Sequence, residues 1–163
     1  INDITGAGDP GMLPLAAARS CGLVLMHMQG KPDTMQRDPR YDDVVAEVAA
    51  WLADRCRRAE AAGVRSDRLI VDPGIGFGKT TDHHLELLAG LAGIATDRAL
   101  LLGTSRNSFV GAVPGAPVAE RLPGSLATLA VAWHAGATVV RVHDVAATVH
   151  YLETLRAVAA ARA

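Results

Sequence analysis

Leu69-Ile70-Val71-Asp72-Pro73-Gly74-Ile75-Gly76-Phe77-Gly78-Lys79 joins a short apolar run to a glycine-rich segment. Uninterrupted apolar residues are typical of a parallel strand, because such a strand is buried on both faces. The alternate glycines let the following backbone pass very close to a ligand or to another loop. Asp72, at the strand end, can accept two hydrogen bonds from an amidine-like heterocycle edge. Capping of the loop is an equally good interpretation of its position.

Four more apolar runs flank this one, and amphipathic stretches separate them. The runs are Ile1 to Ile4, Leu23 to Met28, Leu100 to Leu102 and Val139 to Val142. The pattern is therefore strand and helix, repeated five times. It fits a doubly wound five-stranded sheet, or part of an eight-fold barrel that typically needs about 250 residues. Periodicity alone does not choose between them.

The helix signals are local. Asp9 before Pro10 predicts an N-cap and a first helical residue. Val44, Val48, Leu52 and Cys56 recur at helical spacing, and a later helix is expected from Pro123 to His134. The adjacent His83 and His84 point in different directions on a helix, and both are expected at the surface.

Polar residues cluster where the predicted strands end, which is where ligands bind in both architectures. Arg141 and His143, two apart on a predicted strand, would project from one face and suit a phosphate or diphosphate. A pairing of Arg141 with a core carboxylate such as Asp72 is the alternative. The other strand-end polar residues are Asn2, Asp3, His27, Ser105, Arg106 and Asn107.

The end of the glycine segment resembles a nucleotide-binding P-loop only superficially. Gly78-Lys79-Thr80 has the right ending, but a P-loop needs a glycine five residues before Gly78, and Pro73 stands there. Phe77, on the same loop, can cover an aromatic ligand or simply anchor the loop. Met26 can pack against a flat ring, although a core position is more common.

The composition excludes several classes of protein. The chain has 163 residues, half of them hydrophobic, with 16 basic and 17 acidic side chains. No broad basic field is expected, so nucleic acid is not expected as a partner. No membrane segment, signal peptide or metal-ligand motif stands out. The isolated cysteines, Cys21 and Cys56, favour a reducing, cytoplasmic location. Because the chain opens inside a strand at Ile1 rather than at methionine, we interpret residue 1 as a cut.

With these features placed, the chain resembles the C-terminal part of dihydropteroate synthases from Ile1 to about Leu155. The ordered set of motifs is specific, although each one alone is weak. They are Ile1-Asn2-Asp3-Ile4, Leu25-Met26-His27-Met28, Gly30-Lys31-Pro32-Asp33-Thr34-Met35-Gln36, Asp72 to Lys79, Glu120-Arg121-Leu122-Pro123-Gly124-Ser125-Leu126 and Arg141-Val142-His143-Asp144-Val145. The resemblance implies a (β/α)8 barrel family, present here as an N-terminally truncated barrel of five parallel strands and their helices. Residues 1–163 would then form a single pterin-binding domain.

The resemblance also implies an activity, the condensation of p-aminobenzoate with 6-hydroxymethyl-7,8-dihydropterin diphosphate to release diphosphate. Arg141 and His143 would hold the diphosphate as catalytic residues. The substrate-binding residues would be Asn2 and Asp72 against the pterin, Ile4, Met26, Phe77 and Gly103 around it, and Ser105 and Asn107 near the aminobenzoate. Mg²⁺ is implied as a cofactor with no protein ligand on this chain, and a homodimer is a possible assembly.

Two departures from the family pattern stand out. The family usually has lysine in the loop Ser105-Arg106-Asn107-Ser108, where this chain has Asn107, and we expect weaker substrate binding. The first three strand–helix units of the family are absent, so the isolated chain is expected to be inactive or weak. The alternatives are a pterin-dependent methyltransferase, which Asn107 favours, and a non-catalytic pterin- or phosphate-binding homologue. A flavodoxin-like protein fits the unit count but lacks a flavin phosphate loop.

Overall fold

A computed structural model describes residues 1–94 and 97–161 of the chain. Within these residues, each of five strands is followed by a helix, as the apolar pattern predicted, and one further short helix that was not predicted follows the fourth strand. The strands are β1 (Asn2–Asp3), β2 (Leu23–Met26), β3 (Leu69–Asp72), β4 (Ala99–Leu102) and β5 (Val139–Val140). The helices are α1 (Met12–Arg19), α2 (Val44–Ala61), α3 (Thr81–Ala89), α4 (Ser108–Ala112), α5 (Leu122–His134) and α6 (Val145–Ala160).

The strand order separates the two architectures that periodicity left open. All four pairings are parallel, and the strands lie side by side in chain order, β1-β2-β3-β4-β5. A doubly wound sheet reverses its order at a switch point, whereas a barrel adds each strand beside the previous one. The fold is therefore of the barrel type, and among the described strands β1 and β5 form two open edges.

The core lies between the sheet and its helices. Alternate residues of β2, β3 and β4 enter one buried apolar cluster, which contains Leu23, Leu25, Leu69, Val71, Leu100 and Leu102. Opposing them is the apolar stripe of α2, whose predicted members Val44, Val48, Leu52 and Cys56 are all buried. Asp43 caps this helix by accepting a hydrogen bond from the Ala46 amide. This packing fixes the strand ends that carry the polar residues.

Three local predictions were wrong. Helix α1 begins at Met12 rather than Pro10, because Asp9 uses its side chain to accept from the Gly11 amide in a turn. His84 is buried rather than exposed, since its ring packs against Phe109. Strand β5 is two residues long, so Arg141 and His143 lie in the segment after the strand rather than on it.

Candidate active site at the strand ends

Three predicted site residues meet at the carboxyl end of the sheet, although they come from β1, β3 and the segment after β5. Arg141 Nη1 lies 3.1 Å from Asp72 Oδ2 and donates a hydrogen bond of 3.3 Å to Asn2 Oδ1. The alternative considered for Arg141, a pairing with Asp72, therefore occurs. Since Arg141 remains exposed while Asp72 is buried, the pair extends from the interior to the surface at the strand ends, a region that we call the cleft.

The two carboxylate oxygens of Asp72 have different surroundings. Its Oδ1 accepts a 2.8 Å hydrogen bond from the Gly74 amide, so it does cap the loop. Its Oδ2 has no aligned hydrogen-bond donor among the described residues, although the Arg141 charge is close. Burial raises the pKa of Asp72, while the Gly74 amide and Arg141 oppose the rise. A buried acceptor without a donor is costly, so this oxygen is suited to a ligand N–H group.

Gly103, at the end of β4, leaves room for the Arg141 guanidinium. A Cβ atom at Gly103 would lie 2.5 Å from Arg141 Nη2, so any side chain there would displace the guanidinium. The Arg141 amide also donates to the Leu102 carbonyl, so the backbone after β5 stays aligned with β4. Gly103 is therefore in direct contact with Arg141, and its predicted position against the ligand stays a prediction.

His143 lies beside the loop after β4 and contacts Ser105. The His143 amide donates to Ser105 Oγ at 3.2 Å, and the ring Nδ1 lies 3.1 Å from the same oxygen. If the hydroxyl accepts from the amide and donates to Nδ1, the ring carries its proton on Nε2. That N–H is then available to an anion. Arg106 is engaged elsewhere, in a two-bond pairing with Asp144.

The glycine loop after β3 is shaped by close backbone contacts. Gly74, Gly76 and Gly78 all have positive φ angles. A Cβ atom on Gly74 would lie 1.8 Å from the His27 carbonyl oxygen, so only glycine fits there. Beneath the loop, Lys79 Nζ contacts His27 Nδ1 at 3.0 Å. His27 is therefore a buried histidine with a partner.

Asn107 ties two loops together. Its Nδ2 donates to the Gly103 carbonyl at 3.1 Å and to the Ile75 carbonyl at 3.4 Å. Its Oδ1 fills the space beside Gly76, where a Cβ atom would approach to 2.5 Å. The position that the family resemblance assigns to a cation is thus occupied by a neutral bridge between the β3 and β4 loops.

The remaining predicted residues lie near this cleft with less defined contacts. Met26 is buried at the end of β2, directly opposite Asp72 in the sheet register. Ile4, directly after β1, and Phe77, on the glycine loop, are both partly exposed. Asp3 does not face the cleft, because its carboxylate accepts from the amides of its own loop.

Sequence reasoning missed Lys79 and His84 as elements of the site. Lys79 was considered only as part of a P-loop that the sequence lacks, yet its side chain is 2% exposed. His84 Nε2 accepts a 3.0 Å hydrogen bond from the Gly76 amide, so it also fixes the glycine loop. The available signal was that Lys79 and Lys31 are the only lysines in the sequence.

Neither a metal site nor a membrane segment is evident in the described part of the chain. Residues 1–94 and 97–161 contain no cluster of three or more His, Cys, Asp or Glu side chains that could hold a metal ion. Within the same ranges, every helix is too short or too polar to span a membrane.

Comparison with known proteins gives a consistent result. Residues 1–143 match a family described as pterin binding enzyme. The dihydropteroate synthase of Escherichia coli is 44% identical over 163 residues, which cover 99% of this chain and 58% of that protein. A crystal structure of dihydropteroate synthase from Stenotrophomonas maltophilia, with imidazole in its active site, has a TM-score of 0.95 and 47% identity. The matched region covers 98% of this chain and 61% of the Stenotrophomonas maltophilia protein.

A second structure, dihydropteroate synthase from Thermus thermophilus in complex with 6HMPPP, has a TM-score of 0.91 and 42% identity. The matched region covers 96% of this chain and 62% of the Thermus thermophilus protein. The resemblance inferred from the motifs is confirmed. The chain spans about three-fifths of the length of the relatives that it matches.

Proposed function

The chain belongs to the pterin-binding enzyme family, and from that premise we propose that it carries the pterin and diphosphate half-site of a dihydropteroate synthase. The proposed reaction joins p-aminobenzoate to 6-hydroxymethyl-7,8-dihydropterin diphosphate and releases diphosphate. The observation that carries the proposal is the buried Asp72 carboxylate with Arg141 at its mouth. One group suits an amidine-like ring edge, and the other suits an anion.

Asp72 is proposed to bind the pterin edge. Its Oδ2 lacks an aligned donor among the described residues, and the pterin ring offers N–H groups in a plane. A ligand donor would replace the Arg141 charge as the partner of this oxygen. Asn2 would add an amide to the same edge, since its Oδ1 already shares the Arg141 guanidinium.

Arg141 and His143 are proposed to receive the leaving group. A cationic carbon develops as the bond between the pterin methylene group and the diphosphate oxygen breaks, so negative charge grows on the diphosphate. A guanidinium and an imidazole N–H beside that oxygen would stabilise the charge. The aromatic amine then attacks the methylene carbon. This chemistry needs little proton transfer, so positioning is the main contribution of the described residues.

Mg²⁺ does not fit the residues that the structure describes. The family resemblance implies the ion, but the described side chains contain no cluster of ligands that could hold it. Asn2 is the only predicted pterin ligand with a neutral oxygen at the cleft, and it contacts Arg141, whose charge would repel a cation. No step is assigned to the metal.

Asn107 is proposed to limit the activity. A lysine in its place would bring a charge across the ligand, whereas Asn107 uses its amide to bridge the Gly103 and Ile75 carbonyls. The isolated chain is proposed to have little or no synthase activity. Robust product formation by the chain alone would contradict this.

We also propose an oligomeric state and a cellular location for the protein. A homodimer is supported by an apolar groove between α3, α4 and α5, in which Leu85 and Val113 are exposed. Measurement of the molar mass by light scattering tests it, with Val113→Asp expected to release monomers.

A cytoplasmic location is supported by two free thiols, Cys21 and Cys56.

A pterin-dependent methyltransferase is the second candidate, because such enzymes carry asparagine in the region of Asn107. Methyl transfer has no diphosphate to hold, so the exposed Arg141 and His143 favour the synthase. Titration with methyltetrahydrofolate discriminates the two. Binding of that ligand with no response to the pterin diphosphate would favour the methyltransferase.

Calorimetric titration of the chain with 6-hydroxymethyl-7,8-dihydropterin diphosphate tests the proposal. We expect saturable binding that Asp72→Asn weakens on the order of tenfold or more, because the amide is a poorer acceptor and leaves a buried group mismatched. Asp9→Asn, at an exposed carboxylate outside the cleft, is the matched control. Equal binding by all three proteins would contradict a pterin edge at Asp72.

A further inference from the structure

The Lys79 ammonium group lies under the glycine loop with a matched set of acceptors. It contacts the Gly74 carbonyl at 3.1 Å, the Phe77 carbonyl at 3.0 Å and His27 Nδ1 at 3.0 Å. An ammonium group has three N–H donors, and here each has one acceptor. The two carbonyls belong to the loop that begins beside Asp72 and carries the Phe77 ring, so a single side chain holds both ends of this turn.

Lys79 is buried, and three titratable groups lie around it. His27 at the end of β2, Asp72 at the end of β3 and His84 on α3 are the groups that face it, and Arg141 neutralises part of the Asp72 charge. Burial lowers the pKa of Lys79 to about 7, and the Asp72 carboxylate opposes the change. Both protonation states are therefore accessible near neutral pH.

The other contacts of the loop cannot replace this group. Gly76 donates its amide to His84, and the Gly78 carbonyl accepts from the Tyr41 hydroxyl. Neither contact reaches the Gly74 or Phe77 carbonyl. Within the described residues, the Gly74 carbonyl has one further partner, the Phe77 amide. Loss of the ammonium group would therefore release the Gly74 and Phe77 carbonyls, while the middle of the loop stays attached through Ile75 and Gly76.

We propose that Lys79 is a positioning residue for the pterin half-site, whose ammonium group holds the glycine loop in the shape that presents Asp72 and Phe77 to the ligand. The inference rests on the proposed function and extends it to a residue that does not touch the ligand. It also makes the loop responsive to pH. A neutral amine has two donors and one lone pair, so all three contacts persist only if the His27 ring carries its proton on Nδ1 and donates to the amine.

The presence of only two lysines gives a direct measurement on the unsubstituted chain. With ¹³Cε-labelled lysine, the exposed Lys31 serves as an internal reference in a pH titration by NMR. We expect the Lys79 resonance to titrate with a pKa of about 7. The amide shifts of Gly76 and Phe77 should follow the same midpoint. Loop amides whose shifts do not follow the Lys79 titration would overturn the proposal.

A substitution of Lys79 distinguishes a role in positioning the ligand-binding loop from a contribution to the stability of the fold. Lys79→Met keeps the length of the side chain and removes its donors, and Lys31→Met is the matched control. With 6-hydroxymethylpterin as the probe, which has no diphosphate to ionise, we expect Lys79→Met to weaken binding on the order of tenfold to a hundredfold at pH 6. Lys31→Met should not change it.

The two readouts distinguish the possible failures. An unsubstituted chain that does not bind 6-hydroxymethylpterin refutes the proposed pterin site, and the loop amides then decide the role of Lys79 alone. Folded Lys79→Met protein with unchanged affinity and unchanged Gly76 and Phe77 amide shifts refutes the positioning role. If Lys79→Met does not fold, the lysine titration of the unsubstituted chain still decides the question.

Discussion

Mild acid is expected to destabilise the fold through two buried histidines, His27 and His84. His84 Nε2 accepts a hydrogen bond from the Gly76 amide, and His27 Nδ1 lies 3.0 Å from Lys79 Nζ. Burial, followed by the Lys79 charge, lowers the pKa of His27 to about 3 and that of His84 to about 4. Protonation would place a charge in the core and remove an acceptor.

Proton linkage determines whether the free energy of unfolding rises or falls with pH. In the unfolded chain a histidine takes up a proton as the pH falls through about 6.5, whereas in the folded chain these two stay neutral. The stabilisation is therefore complete above about pH 6.5 and is lost as the pH falls toward 4. At pH 5 each histidine should lower the free energy of unfolding by about 2 kcal/mol. The buried Asp72, with its raised pKa, acts in the opposite direction.

Urea unfolding followed by circular dichroism at pH 7 and pH 5 measures the loss. Because Asp72 contributes equally to all variants, the comparison is between the pH dependence of each protein. His84→Gln should reduce the loss between the two pH values by about 2 kcal/mol. His150→Gln, at an exposed position on α6, should leave it unchanged. The same pH dependence in all three proteins would refute the argument that His84 stays neutral in the fold.

Three further substitutions test the site. Gly103→Ala should displace the Arg141 guanidinium, since the new Cβ would lie 2.5 Å from Nη2; we expect about tenfold weaker binding of the pterin diphosphate by calorimetry. Gly74→Ala should lower the free energy of unfolding by about 1–3 kcal/mol or more in urea, because φ is +67° and the His27 carbonyl blocks the methyl group. Asn107→Lys, in a chimera that supplies the upstream units of a similar synthase, should raise product formation, and no gain would contradict a limiting role for Asn107.

Much of the fold was predictable because parallel strands leave a strong mark on sequence. The apolar runs predicted all five strands, and the stripe of α2 emerged from its four-residue spacing. The strand order was not predictable from periodicity, since both candidate architectures bury the same residues. Strand length was also not predicted correctly: the fifth strand was expected to run to Val142, yet β5 ends at Val140.

The site was predictable as a cluster, and the pairing of Arg141 with Asp72 was one of two alternatives that the sequence left open. Asp72, Arg141 and Asn2 do meet, because parallel strands bring their carboxyl ends to one edge. The position of the Arg141 guanidinium depends on the space above Gly103, and no local sequence pattern predicts that space. Lys79 was harder still, since a lysine in a loop is usually exposed, and only the folded loop places three acceptors around it.

The central claim is that Asp72 and Arg141 divide one ligand between them, the pterin edge and the diphosphate. Calorimetric titration with 6-hydroxymethylpterin and with 6-hydroxymethyl-7,8-dihydropterin diphosphate, on the unsubstituted chain and on Arg141→Ala, tests it most directly. We predict tighter binding of the diphosphate by the unsubstituted chain, most of which Arg141→Ala removes while the diphosphate-free pterin binds nearly as before. Equal loss for both ligands, or no binding by a folded chain, would contradict the account.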